Sequence, residues 1–136
     1  MIRNKRAFPY QVQGLEMKLF ASGEYKDDEN KFVLDNNIKA NKLYYVVTYT
    51  QGGADTRSYF ADFLEHPHGD EVTTVQTVTL QCVEINRDTH AATGCEVEIR
   101  PDSNICEVFG DTSVFNGEMA VIYIYEIPLL PKGSVN

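Results

Sequence analysis

The chain has 136 residues, 43% of them hydrophobic, with eight Tyr, seven Phe, no Trp and a formal net charge of −8. That length suits one domain whose core buries roughly two thirds of the unfolded surface without a metal or disulfide staple, and the hydrophobic share excludes a disordered chain. The acidic balance repels phosphate backbones, so no nucleic-acid partner is expected; no apolar run reaches the roughly 18 residues of a membrane span, so no membrane insertion is expected.

Residues 1–13 read as an N-terminal arm. It carries the basic cluster Arg3, Lys5 and Arg6, with no apolar segment behind it that would make an export signal. Residues 14–130 read as one β domain and 131–136 as a C-terminal tail. The first predicted strand covers residues 15–21 and sets Leu15, Met17, Leu19 and Ala21 on one face. A charged turn follows at 24–31, then the short apolar run Phe32-Val33-Leu34 and a turn at Asp35-Asn36-Asn37. Residues 43–51 alternate with period two and are rich in Tyr, Val and Thr, the signature of a strand. Gly52-Gly53-Ala54-Asp55 turns the chain, and residues 56–64 return it as the second arm of a hairpin.

Residues 65–70 read as a loop because of Pro67 and Gly69. The run 72–86 changes its apolar parity, from Val75 to Val78 and Leu80 and then to Val83 and Ile85, so a bulge or bend is expected within it. After a polar loop at 86–94, residues 95–100 and 105–109 flank Pro101-Asp102-Ser103-Asn104 as a hairpin. The simplest register opposes Arg100 to Ile105, Cys95 to Gly110 and Cys106 to Ile99. It also opposes Glu98 to Glu107, an arrangement only water tolerates. Cys95 and Cys106 are then too far apart to bridge. The last strand, 119–127, is apolar on both faces and is expected to be central or covered by a neighbouring subunit. Seven to nine strands with short connections define an all-β, single-domain antiparallel β-sandwich, jelly-roll-like in style.

Three cysteines, Cys82, Cys95 and Cys106, make an odd set that falls at apolar strand positions. They read as core thiols, so a reducing cytoplasm is the expected folding compartment. No Gly-x-Ser-x-Gly elbow and no phosphate-binding loop is present. No catalytic residue and no cofactor is therefore assigned, and the chain reads as more a binding module than an enzyme.

His66-Pro67-His68, followed by Asp70 and Glu71, places two imidazoles two residues apart in extended backbone. The stretch resembles part of the first metal motif of cupins. The cupin pattern has one more residue between the second His and the Glu, and a Gly where this chain has Phe60. The second cupin motif has no counterpart here. The resemblance implies a metal-dependent enzyme using His66, His68 and Glu71, with His90 as a distant fourth ligand.

Tyr44, Tyr45, Tyr49, Tyr59, Tyr123 and Tyr125 concentrate aromatic surface on the strands. They suit a core, a subunit interface or, less well without Trp, a carbohydrate platform. The leading expectation is a non-enzymatic structural or interaction module that forms a homo-oligomer, with a trimer favoured. Val121, Ile122, Tyr123, Ile124 and Tyr125 are its expected interface. Gly52, Gly53, Asp55 and Asp88, on loops, are its expected contacts with a protein or glycan receptor. A basic arm, an acidic sandwich and an apolar last strand resemble in style small virion or phage-particle components such as tail-fibre tips, decoration proteins and capsid jelly rolls.

Overall fold

The computed structural model describes residues 10–12, 16–50, 56–85, 88–90, 92–110, 112 and 120–131. Among them there is no helix. Twelve strands run in chain order: β1 (Tyr10–Val12), β2 (Lys18–Lys26), β3 (Lys31–Leu34), β4 (Leu43–Thr50), β5 (Thr56–Asp62), β6 (His66–His68), β7 (Glu71–Thr73), β8 (Val78–Ile85), β9 (Ala92–Ile99), β10 (Ile105–Gly110), β11 (Ala120–Glu126) and β12 (Leu129–Pro131). Eight of them form one antiparallel sheet in the order β5-β4-β11-β2-β3-β10-β9-β8. This sheet curls until its two edge strands meet, giving a nearly closed barrel. The Tyr59 hydroxyl on β5 donates to the Gln81 carbonyl on β8 across the remaining gap. The all-β antiparallel architecture read from the alternation is thus the architecture found.

The barrel interior is the core. From β4 come Tyr44, Val46 and Thr48, from β11 Ala120, Ile122 and Ile124, and from β9 Cys95, Val97 and Ile99. Phe32, Leu34, Cys106 and Val108 join it from β3 and β10, with Ala21, Ile38, Ala61, Phe63 and Leu80. These residues sit at every second position because side chains alternate faces along a strand. A smaller cluster of Leu43, Leu64 and Ile127 lies apart from this core, with Tyr45 and Leu129 packed on it. There the chain leaves the large sheet, and β12 pairs with β1 as a separate two-stranded ladder. The last three residues described from the expected arm are therefore strand residues, while residues 1–9 lie outside the described set.

Several local expectations hold in detail. β11 is central, laddered to β4 on one side and β2 on the other. The β9–β10 register opposes Glu98 to Glu107 and Val97 to Val108. Its turn at 101–104 docks on the chain after β3: Ile38 donates to the Ser103 carbonyl at 2.9 Å and Asp102 donates to the Ile38 carbonyl at 2.7 Å. Asn104 completes the contact through its side-chain amide, which donates to the Leu34 carbonyl. Asn30 and Asp102 take positive φ values of 53° and 61° in their turns, a conformation that short Asn and Asp side chains tolerate.

Three expectations are corrected. Met17 and Leu19 do not share a buried face with Ala21: they are exposed, whereas Ala21 is buried. The cause is a bulge, since Ile124 pairs with Ala21 but Tyr125 pairs with Leu19, leaving Phe20 as an extra residue in β2. Phe20 takes the inward place and packs on Tyr44 with ring centroids 5.3 Å apart. The break in the 72–86 run falls at 74–77, between β7 and β8, whereas β8 pairs with β9 without a register shift from Val78 to Ile85. The stretch expected as a loop at 65–70 holds one arm of a small hairpin, β6 paired with β7 around Gly69-Asp70. Gly69 has a φ of 68°, which the turn requires and glycine supplies without strain.

Candidate functional site

The outer face of the barrel differs from an ordinary solvated sheet face over four adjacent strands. Register sets Phe60 opposite Tyr45, Tyr45 opposite Tyr125, and Tyr125 opposite Leu19. This row crosses β5, β4, β11 and β2 without a charged or small polar residue. The next row is Ser58, Val47, Tyr123 and Ser22, also uncharged. Tyr49 and Val121 begin a third, which ends on Glu24.

Phe60 is 65% exposed, Leu19 55% and Tyr49 38%. Tyr45, Val47, Val121, Tyr123 and Tyr125 are half-buried. Tyr45 and Phe60 pack tilted, their centroids 5.3 Å apart, a favoured aromatic geometry. Charge enters this face at its margins, at Glu24 in the third row and at Asp62, two positions beyond Phe60 on β5. A contiguous apolar patch with a polar margin is the usual form of an interaction surface.

Of the five expected interface residues, Val121, Tyr123 and Tyr125 lie on this face, whereas Ile122 and Ile124 point into the core and are fully buried. The tyrosines also divide. Tyr44 is buried inside, its hydroxyl accepting from the Lys39 backbone N–H at 3.0 Å. Burial raises its pKa, and the Lys39 hydrogen bond partly offsets the rise. Tyr59 packs against the core and reaches Gln81. Phe60 and Leu19 are the members that sequence reasoning missed. Counting outward from Gly52-Gly53 would have paired Phe60 with Tyr45; nothing in the sequence announced the bulge that exposes Leu19.

The histidine stretch is organised around Asp62. The His66 Nε2 lies 2.8 Å from Asp62 Oδ2, while Asp62 Oδ1 accepts from the Leu64 backbone N–H at 2.9 Å. Asp62 therefore ties the start of the β6–β7 hairpin to the end of β5. His68 is exposed opposite Glu71 in that hairpin. His90 is exposed in the turn between β8 and β9, with a φ of 58°. Among the described residues, no three His, Cys, Asp or Glu side chains are grouped to hold a metal ion. Asp88 is an exposed turn residue; Gly52, Gly53 and Asp55 lie outside the described residues. Cys95 and Cys106 are buried, as their parity indicates.

Comparison with known proteins returns no matching family model, no matching curated protein and no matching solved structure.

Proposed function

We propose that this chain is a non-enzymatic interaction module that self-associates through the outer face of β5, β4, β11 and β2, with a trimer as the expected assembly. The observation that carries the reading is the row Phe60–Tyr45–Tyr125–Leu19, uncharged on a chain whose net charge is −8. Copies of so acidic a chain repel one another except where the contact is free of charge. Closure of such a face removes large aromatic side chains from water, and tyrosine hydroxyls at its margin can keep their hydrogen bonds. A particle component, in which one contact repeats among many copies, is the setting that suits this reading.

The test is light scattering after size exclusion, on the wild type and on a Phe60→Ser/Tyr125→Ser double variant. The wild type is expected to run as an oligomer and the double variant as a monomer with an unchanged circular dichroism spectrum. A wild type that stays monomeric at high concentration, or an oligomer indifferent to both substitutions, overturns the proposal.

A further inference from the structure

Cys82 on β8 and Cys95 on β9 are direct partners in the antiparallel ladder. Opposed residues in such a ladder have Cα atoms about 4.5–5.5 Å apart, inside the roughly 4.4–6.8 Å range that a disulfide spans. The ladder carries no register shift between Val78 and Ile85, so the backbone of Cys82 stands directly across from that of Cys95. Cys95 is buried.

A depression of about 290 Å³ lies over the same stretch of ladder, lined by Gln81, Gly94, Cys95, Glu96, Phe109 and Gly110. Gly94 and Gly110 contribute no side chains to fill it. A methyl group on Gly110 would stand 3.0 Å from the Gly94 carbonyl oxygen, and Gly110 has a φ of 97°, so this place is held open by its backbone. The exposed Gln81, Glu96 and Phe109 put this hollow on the outer face of the sheet, while Cys95 belongs to the buried core.

We propose that Cys82 and Cys95 form a reversible cross-strand disulfide, made by exchange with a small-molecule disulfide such as oxidised glutathione. The Cys95 thiolate attacks one sulfur of the oxidant and expels the first glutathione thiolate, leaving a mixed disulfide. The Cys82 thiolate then attacks the Cys95 sulfur and expels the second. The protein gives up two electrons and two protons, and the oxidant leaves as two reduced thiols. The bond ties β8, an edge strand with one laddered neighbour, to that neighbour. Cys106 takes no part. It stands opposite Ile99, four residues along from Cys95 and thus about 13 Å away along the strand, and burial pushes its thiol up to about 12.

The experiment refolds the reduced, urea-unfolded chain in a glutathione redox buffer, so that burial cannot delay exchange. Remaining thiols are alkylated after unfolding without reductant. Cleavage after Arg87 and after glutamates places the three cysteines on separate peptides. The expected product has lost the mass of two hydrogens, carries one alkyl group on Cys106 and yields a Cys82–Cys95 linked peptide. Cys106→Ser is expected to keep the link, and Cys82→Ser to leave both remaining thiols alkylated. Three alkylated cysteines in the refolded wild type, or a bridge that includes Cys106, overturns the proposal.

Discussion

A Cβ atom on Gly23 would stand 2.7 Å from the carbonyl carbon of Val33 and would collide with the attached oxygen. Gly23 pairs with Leu34 where β2 and β3 cross the barrel wall, and the atoms in the way belong to the backbone, so no rotamer change relieves the overlap. Gly23→Ala is expected to destabilise the fold by about 3 kcal/mol, the upper range for overpacking a well-filled interior. A urea titration of the variant, with the midpoint read by tyrosine fluorescence, checks this; an unchanged midpoint would mean that the two strands are not so closely set.

Ile122 and Phe60 sit on opposite faces of the sheet and should respond oppositely. Ile122 is fully buried, and Ile122→Ala leaves a cavity costing about 3 kcal/mol. Phe60 is 65% exposed, so Phe60→Ser should change the stability of the isolated subunit by no more than about 0.5 kcal/mol. Chemical denaturation of both variants at a concentration where the chain is monomeric makes the comparison.

Tyr44 combines a buried ring with a hydroxyl that accepts from the Lys39 N–H. Tyr44→Phe keeps the ring packing on Phe20 and Phe63 and removes only the acceptor. A loss of about 1 kcal/mol is expected, the net worth of a part-buried hydrogen bond. Faster amide hydrogen exchange at Lys39 should accompany it.

Alkaline pH should weaken the fold from a definite point. The Cys106 thiol has its ordinary value near 9.0 when unfolded and about 12 when buried in the barrel. Between these values the unfolded chain has released a proton that the folded chain retains, so stability falls as pH rises through that window and is fully present below it. Tyr44 and Tyr25, both raised mainly by burial from 10.0, act in the same direction above that pH. In reducing buffer, Cys106→Ala should show a smaller decline than the wild type between pH 9 and 10. A series of urea midpoints across that range, for both proteins, reads the difference.

What the sequence could reveal depended on whether one strand or two decided the matter. Alternation within a strand depends on the strand alone, which is why Cys95, Val97 and Ile99 on β9 could be placed on one face; β11 is apolar on both faces, and its pattern did not separate the core residues Ile122 and Ile124 from the outer Val121, Tyr123 and Tyr125. The β9–β10 register was legible because a four-residue turn fixes it, and Glu98 does oppose Glu107. Arg100 answers that juxtaposition by pairing with Glu98 through its guanidinium. The bulge at Phe20 was not legible: it arises where β2 must match β11, about a hundred residues along the chain, and local parity then points Leu19 the wrong way. The row of Phe60, Tyr45, Tyr125 and Leu19 was hidden for a related reason. The hairpin turn fixes only Phe60 against Tyr45; the order of β4, β11 and β2, which no local pattern encodes, brings in Tyr125 and Leu19.

The meeting of β5 and β8 also bears on how the molecule avoids harmful association. Each strand ends the eight-stranded ladder and would otherwise offer a row of unsatisfied backbone groups to any passing extended chain, the usual template for amyloid growth. Here the two termini of the sheet stand against each other, latched by the Tyr59 hydroxyl on the Gln81 carbonyl. Each screens the other from foreign strands, so loss of this phenolic latch should show itself first as fibril formation rather than as a lower melting temperature.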